Sequence, residues 1–273
     1  MRRALWGLLL AVPLTASGQG KVAKAGAPAA SAAAEAPVPV VGPGVNWEGQ
    51  VIRATGAGAP DLRAANPAQA RLGAERAAKL DALRNLLEQA KGIQISAGRS
   101  VGDELSRDEV RGRVEGALRG YKVVSKRYFS DSGVELDVEV PLAAITAVLV
   151  PLVPDPAIPL NAQGAKKYTG LVVDARGLGV TPVLTPRLLD AAGKALYGVS
   201  ALAEDARAAT GVAAWFDSLE AAKKAALVGE KPLVVKATGL QGSDLVLSPD
   251  DVKALAGVNT HFLAEGRVVI VTR

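Results

Sequence analysis

The chain has 273 residues, 49% of them hydrophobic, which is enough apolar side chain to bury a core and excludes disorder throughout. It contains no cysteine and one histidine, so disulfide frameworks, thiol catalysis and zinc fingers are excluded. The formal net charge of +5 raises the question of nucleic acid. Residues 1–45 hold four basic residues and one acidic residue, whereas 46–150 and 151–273 carry only +1 each. Because nucleic-acid binding needs a concentrated basic surface, we expect no nucleic-acid partner.

The first eighteen residues have the layout of a secretory signal peptide. Arg2 and Arg3 precede an uncharged run, residues 4–14, and small residues follow up to Gly18. We predict cleavage after Gly18. The apolar run is too short for a membrane-spanning helix, which takes about 20 residues, and no cysteine follows it, so a lipid anchor is excluded. We therefore expect an extracytoplasmic protein, located in the periplasm, with no transmembrane segment after cleavage.

Composition divides the remaining chain into four parts. Residues 19–45 are rich in Ala, Pro and Gly and predict a disordered tether. Residues 46–150 and 167–273 show the patterns of two domains, joined by a Pro-rich linker over 151–166. The uncharged stretch 140–154 contains three prolines, so we interpret it as a domain edge leading into that linker. The predicted fold class is α+β (mixed α/β), with a mixed sheet packed against helices in each domain.

The first domain is predicted to begin with a strand, Trp47–Thr55, followed by a Gly-rich loop. Asn66 and Pro67 are typical of the N-cap and first turn of a helix, which we expect to run to about Lys91 and to end at Gly92. Spacing of three and four residues predicts one buried stripe along this helix, formed by Ala70, Ala74, Ala77, Leu80, Leu83, Leu87 and Ala90.

A short strand, a second helix and a hairpin complete the predicted first domain. The strand covers 93–97, and Ser106 with Glu109 has the spacing of a capping box for the helix. Strict alternation over 134–140 predicts a half-buried strand after a turn at 131–133. The turn length leaves two registers open, in which either Lys126 or Arg127 faces Asp137. The buried face of the second helix is assigned to Val110, Val114, Ala117 and Leu118.

The second domain is predicted to contain more strand than helix. A hairpin is indicated by the turn residues 190–194 between 182–189 and 195–197. The unbroken β-branched run within 267–272 predicts a strand that is covered on both faces. Ser248 begins a short helix, and a longer one is expected over 217–228. Further strands are expected over 170–175 and 232–238.

One motif raises the alternative of a secreted serine hydrolase. Gly98-Arg99-Ser100-Val101-Gly102 fits G-x-S-x-G, with Ser100 as nucleophile and His261 as base. We interpret the match as coincidental, because a nucleophile elbow needs a helix immediately after the serine and the next helix is predicted only at Ser106. The chain also lacks the long series of βα units of such hydrolases. Catalytic residues, metal ligands and cofactor-binding residues are therefore all predicted to be none.

Two other groups of residues have structural interpretations. Gly56-Ala57-Gly58 superficially resembles a phosphate-binding turn, but we assign it to a loop that needs backbone freedom. The acidic pairs Asp103-Glu104, Asp108-Glu109 and Asp250-Asp251 lack the spacing of a calcium loop. The last two fall in first helical turns, where negative charge is stabilised.

A pattern of small residues and helix ends recurs in the first domain at 54–58, 66–71, 77–78, 81–86, 92–93 and 134–142. In this pattern residues 54–142 resemble the Lpp-twenty-like lipoprotein family and the related N-terminal domain of flagellar assembly protein T. The resemblance implies an envelope-located, non-enzymatic α/β domain used in assembly or surface association. The second half resembles uncharacterised secreted proteins in which 170–177 and 231–237 recur. We therefore expect a non-catalytic envelope protein whose partners are other envelope proteins, with a small-ligand-binding periplasmic protein as a further alternative.

Overall fold

A computed structural model describes residues 42–150 and 157–273. The predicted signal peptide, with its cleavage after Gly18, and the tether up to residue 41 lie outside the described residues. The first part of the predicted linker, residues 151–156, lies outside them as well. The described chain combines helices with mixed sheets, so the predicted α+β class is confirmed.

The first part of the chain forms a four-stranded antiparallel sheet, a two-stranded ribbon and four helices. The elements in chain order are β1 (Gly44–Asn46), β2 (Val51–Gly58), α1 (Pro67–Lys91), β3 (Gln94–Ser96), β4 (Arg99–Ser100), α2 (Val101–Glu104), α3 (Asp108–Arg119), β5 (Lys122–Tyr128), β6 (Val134–Pro141) and α4 (Leu142–Leu149). The sheet has the order β1-β2-β6-β5, and β3 pairs with β4. The predicted strand 47–55 is thus displaced, because residues 47–50 turn the chain from β1 into β2.

Helix α1 packs directly on β2 because two glycines remove the side chains between them. A Cβ atom at Gly58 would lie 2.8 Å from the carbonyl carbon of Ala74 and closer still to the carbonyl oxygen of Ala74. Gly56 meets the backbone of Ala78 and Ala82 in the same way. The assignment of these glycines to a loop was therefore wrong: they belong to a strand, and their role is close approach of a helix backbone.

The buried stripe of α1 follows every fourth residue rather than a mixed spacing. Its bounds and cap agree with expectation, since the Asn66 side chain accepts a hydrogen bond from the Gln69 N–H at 2.9 Å. The prediction was wrong at Ala77 and Leu80, which are exposed. The buried residues are Ala70, Ala74, Ala78, Ala82, Leu86 and Ala90. Every residue of this set except Leu86 is alanine, so the small side chains line the close contact with β2.

The capping box of this region lies at Ser100, not at Ser106. Ser100 precedes α2, and its hydroxyl accepts from the Asp103 N–H at 3.2 Å while the Asp103 carboxylate accepts from the Ser100 N–H at 2.7 Å. Ser106 instead donates to the carbonyl of Asp103, and α3 begins after Arg107 without a side-chain cap. The predicted buried face of α3 is confirmed at Val110, Val114 and Leu118.

Helix α4 occupies the stretch that was predicted to be a domain edge leading into the linker. Its residues 142–149 are uncharged, and most of them are buried. Pro141 stands before the helix, in the position where proline is tolerated, and the next proline is Pro151. The prolines therefore bound the helix instead of preventing it.

The second part of the chain builds a seven-stranded mixed sheet. Its elements are β7 (Gly170–Asp174), β8 (Leu188–Leu189), β9 (Ala195–Tyr197), α5 (Glu204–Ala209), β10 (Ala214–Phe216), α6 (Leu219–Lys224), β11 (Pro232–Gln241), β12 (Asp244–Leu247), α7 (Pro249–Ala256), α8 (His261–Ala264) and β13 (Val268–Val271). The strand order is β10-β13-β7-β11-β12-β8-β9, and β10, β13, β7 and β11 run parallel. Every residue of β13 is buried, as its unbroken β-branched run predicted. Elements α5, β10, β12 and α8 were not predicted, and α6 is shorter than expected. The predicted strand 182–189 is confined to the two residues of β8.

Hydrogen bonds join the first part of the chain to the second. The Gln50 amide donates to the carbonyl of Ala213 at 2.6 Å, and the Thr185 hydroxyl donates to the carbonyl of Ile95 at 2.7 Å. The Ala97 N–H donates to the Ser243 hydroxyl at 2.9 Å. The described residues 42–150 and 157–273 belong to one compact unit.

Candidate interaction surface

Strand β5 forms one edge of the first sheet and is the most exposed strand of that sheet. It pairs with β6 on one side only, and among the described residues no strand pairs with its other side. Of its seven residues, Ser125 alone is partly buried and the other six are exposed. We call Lys122–Phe129 the β5 edge. An edge of this kind presents unpaired backbone N–H and C=O groups in a row.

The exposure of β5 follows from the position of α1. The helix packs on β2 and β6, where the glycines and alanines admit it, and leaves the end of the sheet uncovered. Val124, Tyr128 and Phe129 are each about half exposed (51%, 51% and 49%). The register shifts between Val123 and Ser125, so Val124 is the extra residue of a β-bulge. Half-exposed valine and aromatic side chains on one unpaired edge form an apolar surface, and removing this surface from water is energetically favourable.

The β5 edge is also positively charged. It contains Lys122, Lys126 and Arg127 and no acidic residue. Neither predicted register is the one observed, because Ser125 stands opposite Asp137 and Lys126 stands opposite Leu136. Arg127 still forms ion pairs with Glu135 and, at 3.0 Å, with Asp137. In the described part of the chain Lys122 has no ion-pair partner.

Lys126 points to the helix side of the sheet and connects the β5 edge to α1. Its ammonium lies 2.9 Å from the Glu75 carboxylate, which also binds Lys79 at 2.8 Å. The hydrogen bond to Glu75 raises the pKa of Lys126, and the two lysines lower the pKa of Glu75. This pair is partly exposed, so it orients the side chains more than it stabilises the fold.

Two cations hold the ring of Tyr128. The guanidinium of Arg71 lies 5.3 Å from the ring centroid, and the ammonium of Lys126 lies 5.8 Å from it. Cation–π contacts of this length favour one orientation of the ring. Their attraction opposes the entropy that is lost when an exposed tyrosine side chain is ordered. The β5 edge therefore presents an aromatic side chain in a defined position.

Hydroxyl groups and a guanidinium surround Asp137 on the other face of the sheet. Burial alone would raise the pKa of Asp137, but hydrogen bonds from Ser125 and Thr55 and the charge of Arg127 outweigh it, so the pKa is lowered. The Ser125 hydroxyl donates at 2.5 Å and the Thr55 hydroxyl at 2.7 Å. This network ties β2, β6 and β5 together and holds the backbone of the β5 edge in place.

The structure does not bring the two residues of the hydrolase hypothesis into contact. A helix does begin directly after Ser100, contrary to expectation, but it has only four residues. The Ser100 hydroxyl donates to the Asp103 carboxylate at 2.8 Å, whereas His261 begins α8 and stacks edge-to-face on Phe262. Among the described residues no hydrogen bond joins Ser100 to His261, and His261 Nδ1 has no hydrogen-bond partner.

The acidic pairs have structural partners. Asp103 caps α2, and Glu104 is buried against Arg99 and Arg107. Asp251 accepts from the Ser248 hydroxyl at 2.7 Å in the first turn of α7. Within 42–150 and 157–273 there is no group of three or more acidic or histidine side chains that could hold a metal ion. No helix of these two ranges is long and apolar enough to cross a membrane.

A cleft of about 280 Å³ lies where the first and second parts of the chain meet. Residues of both parts line it, with Gln94, Ser96, Thr181 and Ser243 as polar side chains. No charged side chain of the described residues lines the cleft, and its volume lies at the lower end for ligand pockets.

Sequence reasoning predicted the hairpin but missed the β5 edge. The available signal was the adjacent pair Val123-Val124, which breaks the alternation that a half-buried strand should show, and the absence of acidic residues from the strand. What the sequence could not reveal was which strand would lie at the edge, because that depends on the pairing order.

Comparisons with known proteins concern the other end of the chain. No curated protein matches this chain. Residues 170–273, which begin with β7 and end after β13, match a family model described as Treponema pallidum Tp0624, second domain.

Proposed function

We propose that this chain is a non-catalytic, secreted protein of the cell envelope, located in the periplasm, that acts as an assembly or interaction module for other envelope proteins. The observation that carries the proposal is the β5 edge, where an unpaired backbone, half-exposed apolar side chains and positive charge coincide. Features of this kind mark protein–protein contact sites. The layout of residues 1–18 supports export.

The contacts of Ser100 favour this proposal over a hydrolase. Its hydroxyl donates to and accepts from Asp103 within one helix cap, and in the described part of the chain it makes no hydrogen bond to His261, the base that the hydrolase hypothesis requires. Purified protein is expected to show no esterase activity above background. An activity that disappears in Ser100→Ala would contradict the non-catalytic proposal.

Fractionation of producing cells with N-terminal sequencing tests location, and chemical crosslinking in the same cells tests interaction. We expect a mature protein that begins at Gln19, is recovered with the envelope, and crosslinks to other envelope proteins. An uncleaved cytoplasmic protein, or a periplasmic monomer that forms no crosslinks, would contradict the proposal.

A further inference from the structure

We propose that the β5 edge binds an extended, acidic segment of a partner protein, which adds to the first sheet as a fifth strand. This inference rests on the proposed function and specifies the chemistry of the partner. Strand addition uses the unpaired backbone groups of an edge for affinity and the side chains on the two faces for selectivity. On the β5 edge both are available, because β5 is the last strand in the order β1-β2-β6-β5 and its side chains are exposed.

Strand β6 shows which pattern β5 accepts. Along β6 apolar residues face the core and acidic residues face outward, with Glu139 opposite Lys122 and Glu135 opposite Arg127. Side chains of a strand lie between its two neighbours, so a strand on the other side of β5 meets the same residues. A segment with the β6 pattern would place carboxylates beside Lys122 and Arg127 and apolar side chains beside Val123 and Tyr128.

Charge also disfavours two other occupants of the β5 edge. In a second copy, antiparallel pairing of β5 with itself about Ser125 would align strands that each carry three cations and no acid, which is repulsive. Of the two segments of this chain outside the described residues, 1–41 contains Glu35 as its single acidic residue and 151–156 contains Asp155 as its single acidic residue. Lysines on the edge therefore discourage self-association and leave acidic strands as the favoured partners.

The test uses the mature full-length protein and a labelled peptide with the sequence of residues 133–141, Gly-Val-Glu-Leu-Asp-Val-Glu-Val-Pro. The control peptide carries Gln and Asn in place of Glu and Asp. Fluorescence anisotropy measures binding up to about 1 mM peptide. Hydrogen exchange measures whether the amides of Lys122–Tyr128 become protected. We expect saturable binding with protection in β5, and binding at least about fivefold weaker for the neutral peptide and at raised salt.

Lys122 is the residue whose charge is free to meet the peptide, so it is the site for substitution. Lys122→Gln is expected to weaken binding by roughly threefold and Lys122→Glu by roughly tenfold. Lys122→Glu brings a carboxylate next to Glu139 and can disturb the fold, whereas Lys122→Gln removes the charge without adding this repulsion. Lys166→Glu is the matched control, since Lys166 is exposed in the loop before β7. Urea unfolding of each variant verifies that it is folded.

Three outcomes would overturn the inference: no binding by 1 mM, equal binding of both peptides, or binding without protection in β5. A concentration-dependent dimer that Lys122→Glu abolishes would assign the edge to a second copy instead. None of these results would contradict the proposed function, which stands if crosslinking from another surface still yields envelope partners. Absence of peptide binding together with absence of any crosslink to an envelope protein would show that the proposed function itself is wrong.

Discussion

Replacing Gly58 with alanine should force α1 away from β2. The new Cβ atom would overlap the Ala74 carbonyl oxygen and would lie 2.8 Å from the Ala74 carbonyl carbon and the Ala78 nitrogen, whereas ordinary contacts begin at 3.4 Å, so the helix must retreat by more than 0.6 Å. All three contacts are backbone atoms and cannot rotate aside. A gap of this size removes a quarter to a half of the dispersion attraction along the buried alanines. We expect Gly58→Ala to lower the free energy of unfolding by about 3 kcal/mol, the upper end for overpacking.

A glycine on α1 itself, Gly73, provides the matched control. A Cβ atom at Gly73 meets nothing within 4 Å, and alanine in a helix interior is favoured over glycine by about 0.5–1 kcal/mol. Gly73→Ala should therefore raise the free energy of unfolding, measured by urea titration with unchanged m values. If Gly58→Ala stays within about 0.5 kcal/mol of the wild type, a size typical of surface substitutions, the account of the α1–β2 contact is wrong.

Three further predictions concern polar side chains. Ser100→Ala should lose about 1 kcal/mol of stability, because it removes the cap of a helix, and urea titration that shows no loss would contradict the capping role. The pKa of Asp137 is lowered in the folded protein, so the ionised carboxylate contributes to the free energy of unfolding above about pH 4, and this contribution is lost as the pH falls through the folded pKa. Asp137→Asn should therefore make the free energy of unfolding depend less steeply on pH in the acid range. An unchanged dependence would contradict this. Tyr197→Phe should lower the stability measured by thermal unfolding by about 1–3 kcal/mol, because the buried hydroxyl donates to the Val212 carbonyl at 2.6 Å and phenylalanine leaves that carbonyl without this donor. An unchanged stability would contradict the importance of this hydrogen bond.

Features set by local chemistry were predictable from the sequence. The N-cap at Asn66 and the bounds of α1 depend on residues within one turn, and the alternation of Val134–Pro141 identified a half-buried strand. The same holds for the helix that begins after Ser248 and for the buried run in β13. In each case the residues that decide the structure are neighbours in the chain.

Features set by tertiary contacts were not predictable. The predicted stripe of α1 included Ala77 and Leu80 because it mixed steps of three and four residues. The close contact with Gly56 and Gly58 instead buries alanines at strict four-residue steps. Either Lys126 or Arg127 was expected to stand opposite Asp137, but the β-bulge at Val124 places Ser125 there and turns Lys126 to Glu75. The position of β5 at the edge depends on the order of strands that are distant in sequence.

Exposure and charge of the β5 edge have opposite consequences for different partners. Apolar side chains at Val123 and Val124 favour association in general, whereas the cations at Lys122, Lys126 and Arg127 oppose association with a like-charged edge. Only a partner with negative charge is attracted by the cations as well as by the apolar side chains. The surface is therefore suited to a selective contact rather than to aggregation.

A photo-crosslinking amino acid at position 124 tests the central claim, that the β5 edge is the interaction surface of an envelope protein, most directly. Position 234 in β11 is the control, because Val234 is similarly exposed (42% against 51%) but lies in the second sheet. Irradiation of producing cells should crosslink the protein to an envelope component from position 124 and not from position 234. The absence of a crosslink from position 124, or the same products from both positions, would contradict the account.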